Sequence, residues 1–281
     1  MPHRPIRRAR LCAVLIAAAC VCAVDCAVPE GRAEAGPGSP LWFDVGEELI
    51  YRIYWGNLPV GTCRITTEWV EQDGRRLLAI RGRAQGNRIL ARIYPVNDFI
   101  ESLIDPQAFL PVRLDKQISE GRYKSREITT FDHAQGTAVW RSLTRNKEQT
   151  VPIQPHTRDL VGFMYYFRSV GAKPGQVEQY QVMLDEKLYD LWLRVGLLES
   201  IHLPRYGDVP SLRVDPEAAF QGRFVRKGAM TIWASNDKRC LITRIVVSVP
   251  VGSIKIVLDQ VRGPGTDFWV RMLPKEPAPD E

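Results

Sequence analysis

Apolar and polar residues alternate at every second position along much of this chain, and no other feature constrains its fold as tightly. The pattern is clearest between Gly228 and Val261. Met230, Ile232 and Ala234 alternate there with Thr231 and Trp233, the period of a strand whose side chains point to opposite faces. Ser235-Asn236-Asp237 reads as a turn, because Asn and Asp tolerate left-handed backbone and bond their own main chain. Cys240–Val249 is dense in β-branched residues. Val249-Pro250-Val251-Gly252 then places Pro and Gly where a type I turn takes them. In Ser253–Asp259, Ile254, Ile256 and Leu258 share one face, while Ser253, Lys255 and Asp259 share the other. The stretch predicts a three-stranded meander.

The pattern recurs upstream. Glu47–Trp55 alternates, and Arg64–Val70 and Arg76–Arg83 flank the turn Gln72-Asp73-Gly74. Phe99–Ile104, Leu110–Ser119, Tyr123–Phe131, Thr137–Leu143, Glu148–Ile153, Val177–Leu184 and Leu188–Leu197 read as further strands, while Gly86–Tyr94 fits neither period. One segment breaks the rule. Leu160, Phe163, Met164 and Phe167 recur at helical spacing, with Thr157 or Asp159 to cap the start and Gly171 to end the run. Ile201–Asp215, with Pro204, Gly207 and Pro210, reads as a long loop holding a short strand. The expectation is an all-β fold: a single, strongly curved antiparallel sheet or barrel over residues 43–262, with one short helix packed on it.

A hairpin signature appears twice. Pro59-Val60-Gly61 leads into Thr62–Val70, and Pro250-Val251-Gly252 leads into Ser253–Val261. This is either shared turn chemistry or a pair of equivalent hairpins, one at each end of a single sheet. Cys63 and Cys240 each lie in or beside one copy, either as a disulfide joining the two or as two buried thiols.

The start reads as an address. Arg4, Arg7, Arg8 and Arg10 precede the apolar run Leu11–Val24, which is too short to span a bilayer, and Ala33-Glu34-Ala35 offers a cleavage site. Residues 1–35 are therefore expected to be an export signal and 36–42 a flexible leader. A lipid-modified Cys20 after Ala17-Ala18-Ala19 is the alternative. Residues 263–281, with Pro274, Pro277 and Pro279, are expected to form a disordered tail. The mature chain is placed in the periplasm or at the cell surface, with no transmembrane span.

The chemistry is sparse. The sequence carries no nucleophile elbow, zinc-protease helix, phosphate loop or dinucleotide glycine motif. His133, His156 and His202 lack ligand spacing, so no metal and no cofactor is expected. Asp98 and Glu101 fall on opposite faces of their strand and are read as a solvated edge rather than an acid/base pair. The net charge is +6 over 281 residues, with basic residues spread among acids, which speaks for a solvated surface and against a nucleic-acid footprint. Trp55, Trp140, Trp192 and Trp233 all sit within strands, Trp192 and Trp233 opposite their aliphatic rows. Either they are core aromatics, or they line a ligand site beneath a helix lid formed by Leu160, Phe163, Met164 and Phe167. The favoured function is a non-catalytic carrier for an apolar or lipid-like ligand. A structural scaffold with an envelope protein partner, and an enzyme with an unrecognised site, are the alternatives.

Several local motifs together resemble a known family. They are Gly46-Glu47-Glu48-Leu49-Ile50-Tyr51, Val60-Gly61-Thr62, Asp98 through Pro106, Leu110-Pro111, Glu120-Gly121 and Phe131-Asp132. Asp159-Leu160, Tyr166-Phe167-Arg168, Phe224 through Trp233, Asn236-Asp237 and Pro250 through Ile254 complete the set. They resemble the secreted bacterial proteins grouped as domain of unknown function 3108, over about Phe43 to Val261. The resemblance implies a β-rich exported protein and supplies no catalytic residues.

Overall fold

The protein is described by a computed structural model covering residues 41–171, 173–220, 223–224 and 230–264. The expected export signal, Cys20 and the tail beyond Pro264 lie outside these residues. Eight strands come first: β1 Glu48–Trp55, β2 Leu58–Gln72, β3 Arg75–Gly86, β4 Asn97–Asp105, β5 Leu110–Glu120, β6 Tyr123–Asp132, β7 Thr137–Ser142 and β8 Lys147–Pro152. The short β9, Arg158–Asp159, runs directly into α1, Leu160–Val170. Seven more follow: β10 Val177–Leu184, β11 Lys187–Leu203, β12 Gly207–Phe220, β13 Arg223–Phe224, β14 Met230–Ser235, β15 Ile242–Ser248 and β16 Ser253–Arg262.

All sixteen strands belong to one sheet, ordered β8-β7-β6-β5-β4-β3-β2-β1-β16-β15-β14-β12-β11-β10-β9, with β13 on the end of β12. The N-terminal half walks outward from the middle by hairpins, and the C-terminal half walks back until β16 pairs antiparallel with β1, Glu48 opposite Arg262. The two hairpins with the shared signature are thus neighbours at the centre of the sheet rather than one at each end of it, because β1 and β16 pair directly.

β8 and β9 end opposite flanks of this order, yet only residues 153–157 connect them, a reach of about 20 Å at most. The sheet must therefore curl until its flanks meet. Among the described residues no ladder closes the seam; side chains do. Met183 and Leu188 pack with Phe131, Trp140, Val151 and Ile153. Thr157 donates to Gln181 Oε1 at 2.5 Å, and Lys116 pairs with Asp185. The fold is all-β and barrel-like with an open seam, as the alternation predicts. The turns at 56–57, 121–122 and 249–252 and the connection 87–96 share one rim. Backbone bonds hold the connection there, Asn87 N to Val60 O at 2.9 Å and Gly121 N to Pro95 O at 2.7 Å.

α1 lies inside the curl. Its start is fixed by Asp159, whose carboxylate accepts from Gly162 N at 2.9 Å, satisfying one of the orphan donors of the first turn. Gly171 ends it with φ 66°, a left-handed value that suits glycine. Leu160, Phe163 and Phe167 pack on β10, β11, β12 and β14 through Val182, Leu191, Leu193, Val214 and Ala234. Tyr165, on another side, packs with Leu78, Ile80 and Ile104 of β3 and β4. The expected lid, with one apolar stripe on the sheet, is instead a central plug buried on several sides. Gly162 is part of the reason: a Cβ there would stand 2.7 Å from Ile104, so a larger residue would push the helix off that wall.

The segment Ile201–Asp215 corrects the expected loop. It belongs to the long hairpin β11–β12, with Leu203, Val209, Leu212 and Val214 buried. Pro210 is tolerated because β14 ends at Ser235, opposite Ser211, so the missing N–H removes no ladder bond.

Candidate functional site

Between α1 and the walls formed by β1–β4, β15 and β16 lies a cavity of about 110 Å³. Inward-facing positions of the strands build it: Tyr51, Cys63, Ile65, Gly82, Ala84, Ile100, Ile245 and Ile256. The helix contributes Leu160, Val161, Met164 and Tyr165. Ile256 belongs to the inward row read from the sequence. Strand register sets Cys63, Ala84 and Asp98 side by side across β2, β3 and β4.

Asp98 supplies the carboxylate of the lining. It is 2% exposed and accepts from Ser119 N at 2.7 Å. The expected solvated edge is overturned, because β4 lies well inside the sheet with β3 and β5 on its flanks. Glu101 does face outward, where it pairs with Arg81. Burial, then the nearby Asp98 charge, pushes the Cys63 thiol up to about 12. Burial also raises the Tyr51 and Tyr165 hydroxyls. These three groups therefore stay neutral near pH 7, and the chemistry they offer is apolar contact.

The predicted site residues divide. Leu160 and Met164 line the cavity, whereas Phe163 and Phe167 face β10–β14. None of the four tryptophans lines it. Trp55 lies at the rim and donates to Val251 O at 2.8 Å. Trp140 is packed at the seam. Trp192 is half-buried on the face of β11 opposite the buried Leu191 and Leu193, and Trp233 donates to Glu199 Oε2 at 2.8 Å. A buried indole needs a partner for its N–H, and an interior already holding a helix leaves space for aliphatic side chains. Cys63 and Cys240 are separate thiols, not a disulfide. Cys63 lies on β2, and Cys240 lies just before β15, with β1 and β16 between. Three strand spacings make about 14 Å along the sheet, twice the roughly 7 Å that a disulfide spans.

Two buried polar clusters hold the plug. At the C-terminal end of α1, Arg168 donates to both Glu47 oxygens, at 2.7 and 3.0 Å, and Arg239 adds a third bond at 2.7 Å. Burial pushes the Glu47 carboxyl up, but the charge and hydrogen bonds of Arg168, joined by Arg239, outweigh it and hold it below its usual range. At the other end, Ser102 donates to Asp159 at 2.6 Å. Burial there dominates the bonds and raises the Asp159 carboxyl. Glu47, Asp159 and Arg168 all fall in motifs that carry the family resemblance, but their roles emerge only once β1, β4 and α1 are brought together.

A structure comparison returns a crystal structure of a beta-barrel-like protein of domain of unknown function DUF1849 from Brucella abortus. It is 11% identical, with a TM-score of 0.49 over 77% of this chain and 97% of that one. Among curated proteins nothing matches. The profile of the family described as protein of unknown function (DUF3108) matches residues 50–259, from the central strand β1 to its partner β16. The chain belongs to the DUF3108 family.

Proposed function

We propose that this is an exported, non-catalytic binding protein that shelters a small apolar group between α1 and the sheet. The cavity carries this reading: it is lined mainly by aliphatic and aromatic side chains beside the Asp98 carboxylate, and its thiol and phenol groups stay neutral. Its size narrows the ligand class. A cavity of ~150 Å³ takes benzene or xenon, and about 110 Å³ suits a ring or a short branched alkyl group. A whole acyl chain would require α1 to move. Outward-facing arginines paired to acids, such as Arg52 with Asp259 at 3.0 Å and Arg213 with Asp215 at 2.9 Å, support a water-facing surface. A membrane barrel instead turns an apolar band outward.

The scaffold reading draws its support from the plug, which fills most of the interior. Native mass spectrometry of protein taken from its own envelope separates the two, paired with thermal unfolding under benzene or indole. A carrier shows a bound mass or a raised Tm, and Ala84→Leu, which fills the cavity, abolishes it. A ligand-free mass with no shift leaves the scaffold.

A further inference from the structure

Five of the nine exposed large apolar side chains among the described residues gather on the rim above the cavity. Trp55 and Leu58 flank the β1–β2 turn and are 42% and 61% exposed. Val251, at the β15–β16 turn, is 70% exposed, and Ile89 and Ile93, on the connection 87–96, are 80% and 84% exposed. These five are large apolar side chains on three different segments, and the backbone holds the segments together. Trp55 Nε1 donates to Val251 O at 2.8 Å. Asn87 donates to Val60 O through its backbone at 2.9 Å and to Pro59 O through its side chain at 2.5 Å. These bonds gather the three segments on one rim at the centre of the sheet. Exposed apolar side chains clustered in this way mark an interaction surface.

Charge identifies the partner. The segments 55–59, 86–96, 121–123 and 249–253 contain no Asp or Glu, and they carry Arg88, Arg92 and Arg122. The adjoining Glu120 is 1% exposed and accepts from the Tyr94 hydroxyl at 3.5 Å, so its carboxylate does not itself reach the surface. The acidic turn Asp185-Glu186 belongs to the seam, where Lys116 holds Asp185. Apolar side chains flanked by arginines, with a tryptophan whose N–H is already bonded, fit the boundary between anionic headgroups and acyl chains. A second copy of the chain would bring like charges face to face in a two-fold pairing. We propose that this rim docks on an anionic lipid surface. The inference stands whether or not the cavity takes a ligand.

The test is co-sedimentation of the full chain with phosphatidylglycerol vesicles and with phosphatidylcholine vesicles. Three proteins are compared with the same N-terminus: wild type, Ile89→Asp/Ile93→Asp and Arg88→Glu/Arg92→Glu. The altered side chains are exposed, and circular dichroism checks that each variant folds. The expected result is wild-type binding to the anionic vesicles that weakens with salt, and a loss of about tenfold or more in both variants. Equal sedimentation of all three with phosphatidylglycerol overturns the proposal, since binding then lies elsewhere, as does absence of wild-type binding. A wild-type dimer that Ile89→Asp/Ile93→Asp converts to monomer also overturns it, in favour of an interface between copies.

Discussion

Removing the Arg168 guanidinium would leave the Glu47 carboxylate buried, with Arg239 and the Tyr165 hydroxyl as its remaining partners. Breaking one side of a buried pair costs about 3–5 kcal/mol. Arg168→Met should lower stability by that amount in urea unfolding, and Glu47→Gln on the same background should recover part of it. The pH dependence has a definite sign. Glu47 titrates below its ordinary value in the folded state, so its contribution is complete above that value and is lost as pH falls through the folded pKa. Asp159 is raised, so its contribution is complete below its ordinary value and is lost as pH rises through the folded pKa. Asp159→Asn keeps an acceptor for Gly162 N and should flatten the second dependence without loss of stability at pH 7. Asp159→Ala should cost about 1–2 kcal/mol as a lost cap. Unfolding measured from pH 3 to 8 checks both. Asp159 was legible as a cap because capping is local. The partnership of Glu47 with Arg168 was not, because its members lie 121 positions apart and nothing in either neighbourhood names the other.

The helix is the element that decides whether the interior is solid or hollow. Phe163 packs against β10–β14, while Met164 faces the cavity. Phe163→Ala should cost about 3–5 kcal/mol, and Met164→Ala about 2 kcal/mol, because space already lies beside it. Met164→Ala should also enlarge the cavity and strengthen benzene binding; calorimetric unfolding with and without benzene reads both effects. The stripe Leu160, Phe163, Met164, Phe167 was legible from its spacing. The further buried sides were not, since Gly162 and Arg168 meet Ile104 and Glu47, which are distant in the sequence. Strand alternation separated the faces of β11 as far as Val195, where a register shift turns Leu197, expected on the same face, out to 77% exposure; it could not say which face would be filled by a helix and which would turn to water.

For the whole molecule, the middle of the sheet is the β1·β16 pair and the flanks are β8 and β9. Native-state hydrogen exchange should find the slowest amides in Leu49–Ile53 and Ile254–Leu258 and the fastest strand amides in Lys147–Pro152. Equal protection across the sheet would contradict this order. Alternation announced the strands; of the two Pro-Val-Gly copies only Pro250-Val251-Gly252 forms a turn, while Pro59-Val60-Gly61 lies inside β2, just past the turn at 56–57. The strand order was not legible, because pairing β1 with β16 joins the two ends of the domain. That pairing has a consequence for how the protein is made. The ribosome delivers β1 first among the strands and β16 last, so the hydrogen-bonding edge that β1 will offer β16 stands vacant while every strand between them is synthesised. At about 5–20 residues per second, the wait is on the order of ten seconds or more. An unpaired edge of that kind is a template for wrong partners. Whatever guards the nascent chain must therefore mask one particular edge, that of Glu48–Trp55, until the C-terminal hairpin arrives to cover it.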